Sequence, residues 1–174
     1  MSTVIAAPQT GVAQPSRWLR IYLIVIAIVE GLEGIGKIPI LFSGDAEVPG
    51  PGWSGWAVTS ELALTLPFAL VALFFLVKRD VRRAIPALAG IGLVKWISYL
   101  PSLAIHPAEF PGPGFMGVFM AMQMTVFPLL MLMAIALCWK NQRLALAGIL
   151  ASVPTIAHWL GVVAFGIGVA IYGF

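Results

Sequence analysis

The chain has 174 residues, of which 60% are hydrophobic and only 10% are charged, and its formal net charge is +3. Soluble domains carry about 25% charged residues, so this composition leaves too little polar surface for a globule in water. The basic residues lie in short segments between apolar stretches, where membrane topology requires them, and this argues against nucleic acid as a partner. The single cysteine, Cys138, excludes an intrachain disulfide and a multi-cysteine metal site.

Five apolar segments follow a short tail, and each is long enough to cross a bilayer as a helix, which takes about 20 residues. We expect a disordered tail over residues 1–16 and a single transmembrane bundle over residues 17–174. The predicted helices cover residues 21–42, 57–77, 84–105, 115–138 and 144–172. The first segment is too long for a signal-peptide core, so we expect it to be retained. The predicted fold class is an all-α, polytopic membrane bundle of five helices.

Charges outside the apolar segments predict the orientation of the bundle. Eight Lys or Arg residues lie before the first predicted helix or in the connections after the second and fourth: Arg17, Arg20, Lys78, Arg79, Arg82, Arg83, Lys140 and Arg143. The other two connections carry no Lys or Arg, but only Asp45, Glu47 and Glu109. Because cytoplasmic loops are enriched in basic residues, the N-terminus is predicted to be cytoplasmic and the C-terminus outside.

Six ionisable residues interrupt the predicted spans. They are Glu30, Glu33 and Lys37 in the first helix, Glu61 in the second, Lys95 in the third and His158 in the fifth. A charge near the bilayer centre costs about 2.5–3.5 kcal/mol or more, so such residues normally face a partner or water. The three in the first helix are spaced i, i+3, i+7 and therefore share one face.

Depth along the helices places these groups in one layer. At a rise of about 1.5 Å per residue, Glu30 lies about 15 Å beyond Arg20, and Lys95 lies about 18 Å beyond Arg83. The same estimate puts Glu33, Lys37, Glu61, Tyr99, Gln123 and His158 in the outer half of the membrane. Three carboxylates and two ammoniums would then meet inside the bundle, and the surplus carboxylate is a candidate general acid or proton carrier.

Two interpretations of this layer remain open. Glu33 with Lys37, and Glu61 or Glu30 with Lys95, could be ion pairs that hold the helices in register, although buried pairs often stabilise no better than apolar residues. Alternatively, the charges line a polar cavity that opens to the outer side. In that case Tyr99, Gln123 and His158 supply further hydrogen bonds within the same site.

Other motifs favour packing over chemistry. Gly31, Gly34 and Gly36 superficially resemble a phosphate-binding loop, but within an apolar span they predict close helix packing. His158 is more typical of a hydrogen-bonded histidine inside a bundle than of a haem or metal ligand. The methionine row of the fourth helix would suit copper(I), yet methionine is also a common filler of apolar packing. We therefore predict no metal site.

Three short motifs between residues 20 and 138 carry a family resemblance. They are Gly-Ile-Gly-Lys at 34–37, Ser-Glu-Leu at 60–62, and the basic turn that leads into the small-residue-rich segment 82–90. In these features the chain resembles the DoxX-like family of small bacterial membrane proteins. It departs from the family pattern in Glu30, Glu33 and the fifth helix. The resemblance implies a small helical bundle in a bacterial inner membrane, in a family that includes subunits linked to quinone or sulfur redox chemistry.

Three functions are compatible with these features. The leading hypothesis is a multi-pass inner-membrane protein whose charged cavity binds a small or amphipathic ligand, such as a quinone or a lipid. It would act as a redox-associated subunit alongside membrane partner subunits. The alternatives are a proton-coupled transporter that uses Glu30 and Glu33, and an acid/base enzyme such as an isomerase of a lipid-like substrate. The inner half of the spans contains no charged residue, which favours a one-sided site.

Overall fold

The computed structural model describes residues 16–43, 52–105 and 114–173. These ranges form five α-helices: α1 Arg17–Ser43, α2 Trp53–Val77, α3 Val81–Ile105, α4 Gly114–Trp139 and α5 Leu144–Tyr172. The predicted all-α fold with five helices is confirmed, although α1 and α2 begin earlier than the predicted residues 21 and 57. The predicted tail lies outside the described residues except for Ser16, whose Oγ accepts a hydrogen bond from the Leu19 N–H at 3.2 Å and caps α1.

Four of the described helices are long and apolar enough to cross a membrane. The qualifying segments are Trp53–Val77, Val81–Ala104, Gly117–Trp139 and Leu144–Ile171. These lengths and compositions support a multi-pass membrane protein. α1 has 27 residues and is equally long, but Glu30, Glu33 and Lys37 interrupt its apolar sequence.

Several small residues are buried where helices meet, and large apolar residues cover the outside of the bundle. Ala27, Ala69 and Ala72 are completely buried, as expected where helix backbones approach closely. By contrast, the side chains of Leu32 and Leu129 are 63% and 66% exposed, which suits a surface that faces lipid. The outside of the bundle is therefore apolar, as a lipid environment allows.

A tightly packed apolar core occupies the end of the bundle where α1 begins. Leu23 of α1, Leu76 of α2 and Ile85 of α3 are fully buried in it. At the same end, the Arg82 guanidinium donates hydrogen bonds to the carbonyl oxygens of Cys138 and Trp139, at 3.0 and 3.1 Å. These bonds satisfy two of the carbonyls that the last turn of α4 leaves without a helical partner.

One of the three glycines in α1 sets the approach of α1 to α2. A Cβ built on Gly34 would lie 2.8 Å from the Leu66 backbone nitrogen and 2.9 Å from its Cα. Gly31 makes only ordinary contact, 3.8 Å from Ala69 Cβ. The prediction of close packing is wrong for Gly36, which lies on the exposed face of α1 and has no atom within 4 Å of its added Cβ.

Replacing Gly34 with alanine is expected to destabilise the protein. The methyl group would meet backbone atoms that cannot rotate away, and such overpacking typically costs about 1–3 kcal/mol. Gly36→Ala is the matched control, because it adds the same group to the same helix without any contact. Thermal unfolding in detergent should show a lower Tm for Gly34→Ala and no loss for Gly36→Ala; equal Tm values would contradict the assigned contact.

Candidate functional site

Alternating carboxylates and ammoniums form a continuous network between α1, α2 and α3. Glu33 lies at its centre, with Oε1 2.8 Å from Lys37 Nζ and Oε2 2.8 Å from Lys95 Nζ. Lys95 Nζ is also 2.9 Å from Glu30 Oε2, and Lys37 Nζ is 2.6 Å from Glu61 Oε1. The order of charges is therefore Glu30, Lys95, Glu33, Lys37 and Glu61, with every ammonium between two carboxylates.

The predicted ion pairs are present in part. Glu33 and Lys37 form the predicted i,i+4 pair on one face of α1. Of the two alternatives for Lys95, Glu30 is its partner, together with Glu33. Glu61 pairs instead with Lys37, which lies nearer the C-terminal end of α1. α2 and α3 thus each add one charged side chain, Glu61 and Lys95, to the three charges that α1 presents on one face.

Hydroxyl groups complete both ends of the network. The Thr155 hydroxyl of α5 donates to Glu30 Oε1 at 2.6 Å, and the Ser98 hydroxyl of α3 donates to Glu61 Oε2. All six carboxylate oxygens consequently have a hydrogen-bond or ion-pair partner. Each lysine donates to two carboxylate oxygens and has three N–H groups in total.

All eight residues predicted to form the site line one cavity of about 220 Å³. These residues are Glu30, Glu33, Lys37, Glu61, Lys95, Tyr99, Gln123 and His158. They come from all five helices, and the five charged side chains among them are only 3–19% exposed. Helical rise predicts that these residues lie at a similar depth in the membrane, and the structure places all of them in the wall of one cavity. Their role in binding stays a prediction.

Tyr99, Gln123 and His158 contribute to the wall without joining the charged network. Within the described parts of the chain, none of the three forms a hydrogen bond with the carboxylates or ammoniums. His158 packs edge-on against Trp159, with ring centroids 6.1 Å apart. The neighbouring Trp96 indole donates to the Met124 carbonyl at 3.1 Å and joins α3 to α4 beside Gln123. The polar atoms of these three side chains are therefore available to a molecule in the cavity.

Sequence reasoning missed two hydroxyl partners and several aromatic wall residues. Thr155 lies three residues before His158, and Ser98 lies three residues after Lys95, so helical spacing was the signal that could have found them. Serine and threonine inside helices often bond to their own backbone instead, which makes that signal weak. Trp96, Phe119 and Phe127 also line the cavity, together with small and apolar residues.

The polar groups of the cavity that the ion-pair network does not engage are mainly hydrogen-bond donors. Because the carboxylate oxygens are engaged within the network, the groups left are one N–H on each lysine, the Gln123 amide, the Tyr99 hydroxyl and the His158 ring. Such a set suits a guest that presents oxygen acceptors. If all five charges are ionised, the network carries one surplus negative charge, which disfavours an anionic guest.

No protein-family model, curated protein or solved structure matches the chain. The fold and the site therefore define the class of protein by themselves. Over residues 16–43, 52–105 and 114–173 the protein is helical, with four helices long and apolar enough to span a membrane, and a cavity lined by paired charges lies among these helices. The resemblance to the DoxX-like family stays a prediction.

Removing Lys95 is expected to destabilise the bundle strongly. Lys95→Met leaves Glu30 without its ammonium partner in a buried position, and breaking a buried pair costs about 3–5 kcal/mol. The double variant Lys95→Met with Glu30→Gln should recover part of this loss, because the orphaned charge is gone. The measurement is the free energy of unfolding of both variants and wild type in detergent.

Arg83→Gln provides the comparison for that experiment. It breaks the pair with Asp80, in which the arginine side chain is 71% exposed, and exposed pairs contribute about 0–1 kcal/mol. A loss for Lys95→Met no larger than that of Arg83→Gln would contradict the structural importance of the buried network.

Proposed function

We propose that this protein is a multi-pass protein of a bacterial-type inner membrane that binds a small or amphipathic ligand in its charged cavity. The ligand would be neutral and bear oxygen acceptors, as in the head group of a quinone or a lipid-like carbonyl compound. The observation that carries this proposal is the cavity itself, in which the carboxylates are fully engaged while donors from several helices remain. A redox-associated role is proposed only by analogy with the DoxX-like family, which includes subunits linked to quinone or sulfur redox chemistry.

The proposal includes α1 as a fifth span. Glu30, Glu33 and Lys37 interrupt its apolar sequence, but each of these three has an opposite charge within 2.9 Å. Paired charges that face the inside of a bundle are the form in which membranes accept ionisable residues. Five crossings and the distribution of eight basic residues together support a cytoplasmic N-terminus and an external C-terminus.

Reporter fusions test this topology. Alkaline phosphatase joined to the C-terminus should be active, because that enzyme folds only outside the cytoplasm, whereas the same fusion after Lys140 should be inactive. Green fluorescent protein at the same two positions should give the reverse pattern. Phosphatase activity after Lys140, or its absence at the C-terminus, would contradict the five-span orientation.

Aromatic side chains and cavity size restrict the ligand further. Trp96, Phe119 and Phe127 give the cavity flat apolar walls beside its donors, which suits a planar ring with carbonyl or hydroxyl groups. A volume of about 220 Å³ is smaller than the roughly 300–1,000 Å³ typical of sites that enclose a whole drug-sized ligand. The cavity would therefore take a compact molecule, or only the head group of a longer one.

Packing supports a one-sided site over a transport pathway. The apolar core that contains Leu23, Leu76 and Ile85 lies between the cavity and the end of the bundle where α1 begins. A proton-coupled transporter would need a second route through this mostly apolar region, in which the hydroxyls of Tyr22 and Ser152 hydrogen-bond to each other between α1 and α5. An acid/base enzyme remains the alternative that uses the same cavity, with the surplus carboxylate as its proton carrier.

Ligand binding is tested by isolating the protein in native-like lipid and identifying bound small molecules by mass spectrometry. Wild type should carry a ligand with oxygen acceptors, and Gln123→Leu should lower its occupancy several-fold by removing a donor from the cavity wall. Glu33→Gln and Lys95→Met should reduce it further, provided that each folds. Gln142→Leu, which changes the same residue type at an exposed position, is the control. Equal occupancy in all variants would contradict the proposed site.

A further inference from the structure

A second, apolar groove lies between α1 and α5, next to the charged cavity. Its volume is about 230 Å³, and its walls include Ile26 and Val29 of α1 and Ile156 and Leu160 of α5. Leu160 is 64% exposed, so the groove opens on the apolar outer surface of the bundle. α1 also packs less extensively against α5 than against α2, which leaves room between the two helices.

Among the residues that the structure describes, Thr155 alone lines both the groove and the charged cavity. Its hydroxyl donates to Glu30 Oε1 at 2.6 Å, and the Glu30 side chain on the cavity side is only 3% exposed. A threonine side chain therefore separates the apolar surface groove from the innermost carboxylate of the network.

We propose that the groove holds the apolar chain of an amphiphile whose head group occupies the charged cavity, and that this molecule enters sideways from the bilayer between α1 and α5. This inference rests on the proposed function and adds the chemical class of the ligand: one neutral, oxygen-bearing ring with one apolar chain. The wall that the two spaces share at Thr155 carries it, because a head group in the small cavity leaves its chain no room there and this one side chain lies between the cavity and the groove.

The chemistry of the two spaces matches the two parts of such a molecule. The cavity offers N–H and O–H donors beside aromatic walls, whereas the groove offers aliphatic side chains and the ring of Trp159. A packed helix of a second protein would cover the groove without using Thr155, so a chain-bearing small molecule fits it better.

The test compares two probes, decylubiquinone and the same benzoquinone ring without its decyl chain, by equilibrium binding to the protein in nanodiscs. Val29→Phe adds bulk to the groove wall and should weaken decylubiquinone binding about ten-fold or more by steric exclusion. The same variant should bind the chain-free ring as wild type does. Val25→Phe, an equal substitution at an exposed position of α1 outside the groove, should change neither affinity.

Leu160→Phe, from the opposite wall, serves as a second groove variant if Val29→Phe does not fold. Unchanged decylubiquinone affinity in the folded groove variants would overturn the inference about the groove. If the chain-free ring still binds and loses affinity in Gln123→Leu, the charged cavity remains a binding site. Failure of both probes to bind wild type would overturn the groove and the quinone-like ligand together.

Discussion

The position of the Glu33 carboxylate between two ammoniums is the interaction on which the rest of the site depends. One oxygen is 2.8 Å from Lys37 on its own helix, and the other is 2.8 Å from Lys95 on α3. Without this bridge, Glu30–Lys95 and Lys37–Glu61 would be two separate pairs, and the two ammoniums would have no carboxylate between them. The bridge therefore joins three helices through charge alternation, which is the arrangement that makes five buried charges tolerable in a low-dielectric interior.

Backbone packing makes this alternation geometrically possible. Gly34 follows Glu33 directly, and its lack of a side chain lets α1 approach the Leu66 backbone of α2. That close approach brings Lys37 Nζ to within 2.6 Å of Glu61 Oε1. Gly34 and Lys37 thus depend on each other, because a wider spacing between α1 and α2 would lengthen the ion pair between Lys37 and Glu61.

Sequence reasoning predicted the helices and the members of the site better than their pairing. Apolar segment length predicts the helices, and the i, i+3, i+7 spacing in α1 is a property of one helix that a sequence contains directly. The partner of Glu61 depends on the rotation and height of α1 relative to α2, which no spacing within either helix specifies. The Thr155 contact with Glu30 is even harder to predict from the sequence, because α5 is distant along the chain and threonine in a helix usually bonds to its own backbone.

Every carboxylate oxygen of the network already has a partner, and this makes the site better suited to a neutral acceptor than to an ion. A cation would have to compete with Lys37 and Lys95 for oxygens that are already engaged, and an anion would add to a surplus negative charge. A neutral carbonyl needs neither rearrangement, since it can take an N–H or O–H that the network does not use. In the proposed function, the ion pairs hold the free N–H groups of Lys37 and Lys95 in place, so that these two donors need little reorganisation on binding.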